Sequence, residues 1–276
     1  MPLWFVISAF GLFGLLFGSF ANVVIWRLPR GESLAAPGSH CPACQTPIAW
    51  YDNVPLVSYA VLRGRCRACR APIAARYPLV EAASGALFAL AAWHFESVGQ
   101  AAFAAVLFWF ALVLGLIDLE HFRLPNPLVG ALTVFGLAGV VLSHVIGSTL
   151  VPLVGMADAG WLSSPFAVAL TGALVAGGLA FAVGEIYARV LGASGMGFGD
   201  VKFLGALGIF LGLHALSALI IASIIGSVYG VAVARRQGES LRDARVPLGA
   251  FLAIGAIVAA VAGPELWAGY LRLVGM

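Results

Sequence analysis

Long apolar runs alternate with short polar segments along most of this chain. The first run covers 3–25 without a charged residue, and a polar stretch over 27–77 follows it. Further apolar runs cover 79–95, 101–117, 127–147, 165–188 and 248–270. The run over 201–234 is too long for one spanning helix and predicts two helices with a break near Gly212–His214. Because a spanning helix needs about 20 apolar residues, the pattern predicts about eight such helices, with seven or six as alternatives.

These runs predict an all-α polytopic membrane protein with one small polar domain. The expected segments are a first transmembrane helix over 1–26, an extramembrane domain over 27–77 and a membrane-embedded domain over 78–276. No basic residue precedes the first run and no small-residue cleavage site follows it. We therefore expect this helix to stay in the protein rather than to be removed as a signal peptide.

Composition excludes several classes of protein. Hydrophobic residues make up 62% of the 276 residues and charged residues only 10%, against roughly 45–50% and about 25% in soluble domains. A soluble enzyme, a disordered tail and a nucleic-acid binder are incompatible with these values. The 34 glycines fit closely packed membrane helices.

The distribution of basic residues predicts the orientation in the membrane. When the N-terminus is placed outside and the 27–77 segment inside, fourteen of the fifteen Lys and Arg residues face the cytoplasm, Arg242 among them. Only Arg272 then lies outside. Cytoplasmic loops of membrane proteins carry an excess of Lys and Arg, so this orientation is the expected one. With eight helices, both termini lie outside.

All four cysteines lie in the polar 27–77 segment, as the pairs Cys41/Cys44 and Cys66/Cys69. Two C-x-x-C pairs at this separation are typical of a tetrahedral thiolate site for zinc. Four thiolates leave no open coordination position, so the zinc is expected to be structural. A redox-active pair and four unliganded buried thiols are the alternatives. The net positive charge of the segment favours contact with anionic lipid headgroups.

Ionisable groups inside or beside membrane helices are costly, so each of them marks a candidate functional site. Four carboxylates meet this description: Glu81, Asp118, Glu185 and Asp200. Asp118 ends the apolar run over 101–117, and Asp200 ends a turn that contains Gly195, Gly197 and Gly199. The predicted topology places both aspartates at the cytoplasmic face, at the same depth.

Two aspartates that meet in a low-dielectric site cannot both ionise easily, so one keeps a proton while the other acts as a base. The base would take a proton from a water that attacks a peptide carbonyl, and the protonated partner would bind the carbonyl oxygen. Because a helix start favours a carboxylate, Asp200 is the expected base and Asp118 the proton-bearing partner. The alternatives are a simple N-cap at Asp200 and an ion pair between Asp118 and Arg123.

The other two carboxylates have structural interpretations. Glu185 lies four residues before Arg189 and predicts an ion pair within one helix. Glu81 lies at a predicted helix start, which suits a carboxylate. An alternative function for the chain is a membrane transporter with carboxylate ion sites and a metal-binding loop. That function expects carboxylates deep in the spans, whereas here they are predicted at the cytoplasmic ends.

Six segments resemble the type IV prepilin peptidases, also called leader peptidase/N-methyltransferases. These are 18–29, the two cysteine pairs, 50–55, 76–81, Ile117 and Asp118 with Pro125, and 197–202. The last resembles the GxGD signature of that family, which carries over to Asp200, and the resemblance implies that the family's other catalytic aspartate falls on Asp118. The cysteine segment resembles the bacterial branch. Departures from the expected pattern occur at Glu120, Asn126 and 246–252.

The resemblance implies an aspartic endopeptidase of the bacterial inner membrane. It implies cleavage of a short basic leader after glycine, at the cytoplasmic face, in type IV prepilins or type II secretion pseudopilins. It also implies N-methylation of the new N-terminus with S-adenosylmethionine as methyl donor. A basic leader would dock through carboxylates such as Glu120 or Glu81. A chain that acts mainly as a methyltransferase is a further alternative.

Overall fold

The computed structural model describes residues 1–153, 164–191, 196–238, 245–273 and 275. Gly195 of the glycine turn and the basic Arg242 lie outside this described part. The described part of the chain is mostly helical, and its only β pairings are two isolated bridges. The helices are α1 (Leu3–Arg27), α2 (Val57–Val61), α3 (Arg76–His94), α4 (Val98–His121), α5 (Asn126–Ile146), α6 (Pro165–Leu191), α7 (Phe198–Leu211), α8 (Ala215–Gln237) and α9 (Leu248–Leu273).

The helices confirm the predicted all-α membrane architecture. Eight of them are long, and α2 is a single short turn. A 3₁₀ turn at Gly212–His214 separates α7 from α8, at the break that the sequence predicts. Six segments of the described chain are long and apolar enough to cross a membrane, with α7 and α8 taken together as one and α3 not among them. The protein is therefore a multi-pass membrane protein.

The chain divides into two compact units, over 1–105 and 106–276. The predicted segment boundaries after residues 26 and 77 remain a prediction.

In the first unit, α1 and α3 pack against each other as an antiparallel pair. The Ser84 hydroxyl donates to the Gly14 carbonyl at 2.7 Å, and the Asn22 amide donates to the Tyr77 carbonyl at 3.1 Å. A Cβ on Gly14 would stand only 2.7 Å from the Phe88 Cβ. Only a residue without a side chain allows the two backbones to approach this closely.

The segment between α1 and α3 is tied to the ends of this helix pair. Arg27, the last residue of α1, is buried and donates to the carbonyls of Ser33 and Pro37 at 3.0 and 2.7 Å. Farther along, the Leu56 N–H donates to Glu81 Oε2 on α3 at 2.9 Å. The segment therefore folds back on the helices rather than extending away from them.

In the second unit, α7 forms the core. Phe203, Leu204, Leu207 and Phe210 of α7 are fully buried, which fits a helix that is hydrophobic on all faces. It packs most extensively against α6, where a Cβ on Gly172 would collide with the Gly208 carbonyl oxygen. α8 packs against α9. This arrangement brings the end of α4 near the starts of α7 and α9.

Candidate active site

Asp118 lies in the last turn of α4 and is only 5% exposed. Its Oδ2 accepts a hydrogen bond from the backbone N–H of Ala250 at 3.1 Å, and the N–H of Gly249 also donates to this carboxyl. Both donors belong to the first turn of α9, where backbone N–H groups have no partner within the helix. A carboxylate suits this position because the start of a helix carries partial positive charge.

The side chain of Leu124 fills the space beside Asp118. A Cβ on Gly249 would stand 2.9 Å from both terminal carbons of Leu124 and 3.0 Å from Asp118 Oδ2. A Cβ on Gly199 would stand 3.2 Å from the Leu124 Cβ. Leu124 therefore lies between the starts of α7 and α9. Each helix can come this close to Leu124 because it has a glycine, Gly199 or Gly249, at the point of contact.

Asp200 is the third residue of α7 and is partly buried. Its carboxyl receives a hydrogen bond from the backbone N–H of Gly197, the residue that caps the helix. This is half of a capping box. The N-cap position belongs to Gly197, so the alternative of a simple N-cap at Asp200 is wrong. The charge of Asp118 acts on Asp200, so the two carboxyls are electrostatic neighbours.

The predicted ion pair between Asp118 and Arg123 does not occur. The hydrogen bonds to the Asp118 carboxyl come from the backbone of α9 instead. Sequence reasoning missed these donors, since no side chain in 248–250 carries a chemical signal. The one available signal was Pro247 followed by an apolar run, which is typical of a helix start with unpaired N–H groups.

A second contact joins the start of α5 to α7. The Lys202 ammonium donates to Asn126 Oδ1 at 3.0 Å and lies 4.6 Å from the centre of the Phe198 ring. This contact is exposed, in contrast to the buried carboxyl of Asp118. Asn126 departs from the aspartate expected there, and its amide oxygen still accepts from Lys202.

The two remaining carboxylates have structural partners. Arg189 donates to Glu185 Oε1 at 2.8 Å, which confirms the predicted ion pair within α6. Glu81 accepts the Leu56 N–H and a hydrogen bond from the Ser19 hydroxyl. Glu81 therefore joins α1, α3 and the segment between them, and these contacts compete with the docking role considered for it.

The four cysteines form a cluster in the first unit. Their sulfur atoms all lie within 4.8 Å of one another, and the Cys41 and Cys69 sulfurs are 3.8 Å apart. Tetrahedral zinc with bonds of about 2.3 Å separates its thiolates by about 3.8 Å. The cluster therefore fits a metal ion in both donor type and spacing.

Two similar backbone loops build this cluster. The Cys41 N–H donates to the Thr46 carbonyl at 3.0 Å, and the Cys66 N–H donates to the Ala71 carbonyl at 2.9 Å. Gln45 and Arg70, at matching positions, both have positive φ angles. The isolated bridges His40–Pro47 and Arg65–Pro72 close the two loops in the same way.

The surroundings of the sulfurs favour different protonation states. Hydrogen bonds from the Thr46 side chain and backbone N–H lower the pKa of Cys44 to about 6. The backbone N–H of Ala71 lowers the pKa of Cys69, but hydrogen bonding with the neighbouring cysteines and burial outweigh it and raise the pKa to about 11. Nearby, two hydrogen bonds from Arg67 lower the pKa of Asp52. The low pKa of Cys44 suits a metal ligand, since the thiolate is the binding form.

Two family models match most of the chain. The bacterial peptidase A24 N-terminal domain matches residues 12–95, and the type IV leader peptidase family matches residues 105–231. The chain belongs to this family of membrane aspartic peptidases. The second match ends before α9, although the first turn of α9 binds Asp118.

Similar curated proteins carry one name, prepilin leader peptidase/N-methyltransferase. The chain is 36% identical to the protein of Stutzerimonas stutzeri, covering 98% of this chain and 95% of the relative. It is 34% identical to the protein of Pseudomonas aeruginosa, over 99% of this chain and 96% of the relative. It is 38% identical to the protein of Klebsiella pneumoniae, over 77% of this chain and 88% of the relative. No solved structure matches the chain. These findings confirm the family resemblance and give no support to a transporter.

Proposed function

We propose that this protein cleaves the short basic leader of type IV prepilins or type II secretion pseudopilins, using Asp118 and Asp200 as its catalytic residues. The observation that carries the proposal is the electrostatic interaction between the Asp118 carboxyl, at the end of α4 and bound by the start of α9, and the Asp200 carboxyl at the start of α7. The names of the relatives supply the substrate class.

In the proposed reaction, water attacks the carbonyl carbon of the scissile peptide bond. The ionised aspartate takes a proton from the water as the new C–O bond forms, and the protonated aspartate donates a hydrogen bond to the carbonyl oxygen. The C–N bond then breaks, and the leaving nitrogen takes the proton that the first aspartate had received from the water, which restores the ionised carboxylate. The products are a leader with a new carboxyl group and a pilin with a new N-terminal amine.

We assign the ionised role to Asp118, the reverse of the order expected from the sequence. Two backbone N–H groups donate to Asp118, whereas one donates to Asp200. Hydrogen bonds of this kind favour a carboxylate. Infrared difference spectra check the assignment: the carboxylic-acid C=O band of the wild type should be absent in Asp200→Asn. A band that persists in Asp200→Asn would restore the order expected from the sequence.

The catalytic assignment is tested by Asp118→Asn and Asp200→Asn. Each change keeps the size of the side chain and removes its acid–base function, which contributes roughly 10²–10⁴-fold to such reactions. Cleavage of a prepilin in proteoliposomes should therefore fall by at least about 100-fold in each variant. Glu185→Gln is the matched control, because Glu185 pairs with Arg189 on α6 and should leave cleavage unchanged. Normal cleavage by either aspartate variant would refute the pair.

We further propose that the protein methylates the new N-terminal amine. The support is the N-methyltransferase part of the relatives' name. S-Adenosylmethionine would supply the methyl group. The test offers a pre-cleaved pilin and a radiolabelled methyl donor to the Asp200→Asn variant. Transfer of the label without cleavage would establish a separate activity, and no transfer by variant or wild type would refute it.

We propose that the metal ion at the four cysteines is a structural zinc. The thiolate donor set and the sulfur spacing support zinc. The double variant Cys41→Ser/Cys44→Ser should lose the bound zinc found by metal analysis of the purified protein. An unchanged zinc content would refute the assignment.

We propose that the catalytic and cysteine segments face the cytoplasm and that the N-terminus lies outside. The bias of basic residues supports this orientation. In this proposal the segments are the first transmembrane helix over 1–26, the cysteine domain over 27–77 and the peptidase domain over 78–276. Reporter fusions after α1 and after α3 check the topology, since they should report opposite sides.

A further inference from the structure

Six apolar side chains between the cysteine pairs are exposed: Ile48, Trp50, Tyr51, Val54, Val57 and Val61. They are called the 48–61 apolar patch below. Trp50 is 82% exposed, and Val57 and Val61, one turn apart on α2, are 57% and 69% exposed. Large apolar patches outside a membrane are uncommon and mark contact with a membrane or a partner.

The depth of the patch follows from its hydrogen bond to α3. Leu56, which directly precedes α2, donates to Glu81. Glu81 lies five residues into α3, about 7.5 Å from its start at 1.5 Å per residue. Ser19, which also contacts Glu81, lies eight residues before the end of α1, about 12 Å from that end. α2 is therefore held beside the helix pair, below the ends that Arg27 and Arg76 mark.

When the helix ends marked by Arg27 and Arg76 are placed at the outer edge of the headgroup region, this depth corresponds to the boundary between lipid headgroups and acyl chains. The headgroup region adds about 5–7 Å on each side of the hydrocarbon core, and interfacial helices bury their apolar face about 5–10 Å deep. At the same end of α1, the Arg30 guanidinium lies 3.7 Å above the exposed Trp26 ring. Trp and Arg side chains are typical anchors at this level.

The charges around the patch suit an anionic surface. Arg63, Arg65 and Arg70 follow it in sequence and are exposed. The acidic Asp52 within the patch is neutralised by Arg67 at 2.6 Å. The exposed charge beside the patch is therefore positive, and arginines near a membrane surface attract anionic lipids.

We propose that the 48–61 apolar patch inserts into the headgroup–acyl boundary of an anionic bilayer beside α1 and α3. Trp50 and the exposed side of α2 contact lipid, and the neighbouring arginines contact lipid phosphates. The cysteine domain is thus held against the membrane by its own surface, in addition to its two covalent connections. The inference depends on the membrane placement of the chain and not on its proposed peptidase activity.

Fluorescence of Trp50 in the full-length protein tests the proposal. The emission of Trp50 is the difference between wild type and Trp50→Phe, both reconstituted in phosphatidylglycerol-containing vesicles. Lipids brominated near the headgroup end of the acyl chains should quench this emission about twofold or more, and lipids brominated near the methyl end should quench it less. Aqueous iodide should quench it weakly. Strong iodide quenching with no effect of brominated lipids would overturn the proposal.

Variants of the patch provide a second, independent measurement. Val57→Asn/Val61→Asn should weaken the quenching of Trp50 by brominated lipids. Leu34→Asn is the matched control, because Leu34 is an exposed apolar residue of the same segment outside the patch. An equal loss of lipid quenching of Trp50 in the Val57→Asn/Val61→Asn and Leu34→Asn variants would overturn the proposal. Emission from Trp4, exposed on α1, should be quenched by lipid in both variants, which verifies their insertion.

A substrate protein is the competing occupant of the patch. If prepilin binds there instead of lipid, adding prepilin would shield Trp50 from iodide in vesicles where brominated lipids have no effect. That result would overturn the proposal. Lipid quenching that is unchanged by prepilin would support it.

Discussion

Gly249 offers a direct way to disturb Asp118 without changing its chemistry. The residue lies in the first turn of α9, with its backbone N–H directed at the Asp118 carboxyl. In Gly249→Ala the new methyl group would stand 2.9 Å from both terminal carbons of Leu124 and 3.0 Å from Asp118 Oδ2. The substitution therefore forces Leu124, Asp118 or the start of α9 to move.

The expected losses of stability and of cleavage activity in Gly249→Ala follow from these distances. Carbon atoms pack comfortably at about 3.5–4.0 Å, so Leu124 and the start of α9, which carries the N–H donors to Asp118, must separate by about 0.6–1.1 Å. Overpacking of this kind costs about 1–3 kcal/mol of stability. A displacement of about 1 Å in a catalytic group costs about 100-fold in rate. We therefore expect kcat/KM for prepilin cleavage to fall about 100-fold while the protein remains folded.

The assay is leader cleavage in proteoliposomes, together with thermal unfolding in detergent. Gly269→Ala is the matched control, because it lies on the same helix and a Cβ there meets no atom within 4 Å. Adding Leu124→Ala to Gly249→Ala removes the clash and should recover about tenfold of the lost activity, as expected for contacting residues. Normal cleavage by Gly249→Ala, or equal losses in both glycine variants, would refute the link between α9 and Asp118.

Three further predictions concern structural contacts. Glu81→Ala should lower the free energy of unfolding by about 1–3 kcal/mol and speed amide hydrogen exchange at Leu56, because the Leu56 N–H loses its acceptor. Glu81→Gln keeps an acceptor oxygen, so the free energy of unfolding and the exchange rate should change less than in Glu81→Ala. Ser143→Ala removes the hydroxyl that accepts the backbone N–H groups of Leu150 and Val151, and should cost about 1–3 kcal/mol in thermal unfolding. A strong zinc chelator should open the cysteine loops to proteolysis while the circular dichroism of the membrane helices is retained, and equal protection with and without chelator would contradict this.

Features with local sequence signals could be predicted. The break at Gly212–His214 follows from a run too long for one helix, and the Glu185–Arg189 pair follows from helical spacing. The cysteine cluster follows from two C-x-x-C pairs, because that spacing lets both sulfurs of a pair reach one ion.

The contacts that fix Asp118 and Glu81 could not be predicted in the same way. Each carboxyl accepts backbone N–H groups from a distant part of the chain, Asp118 from Ala250 and Glu81 from Leu56. Every residue except proline carries such a donor, so the sequence does not mark which one is used. The helices are apolar on most faces, so periodicity does not show which sides meet.

The start of α9 has a consequence for how far its sequence can drift. Because the donors to Asp118 are main-chain N–H groups, the hydrogen bonds themselves do not depend on the side chain at 250, although that position is buried. Two restrictions remain: position 249 has no room for a side chain, and proline at 250 would remove the donor. The 246–252 segment satisfies both restrictions, so its departure from the family pattern is compatible with intact hydrogen bonds to Asp118.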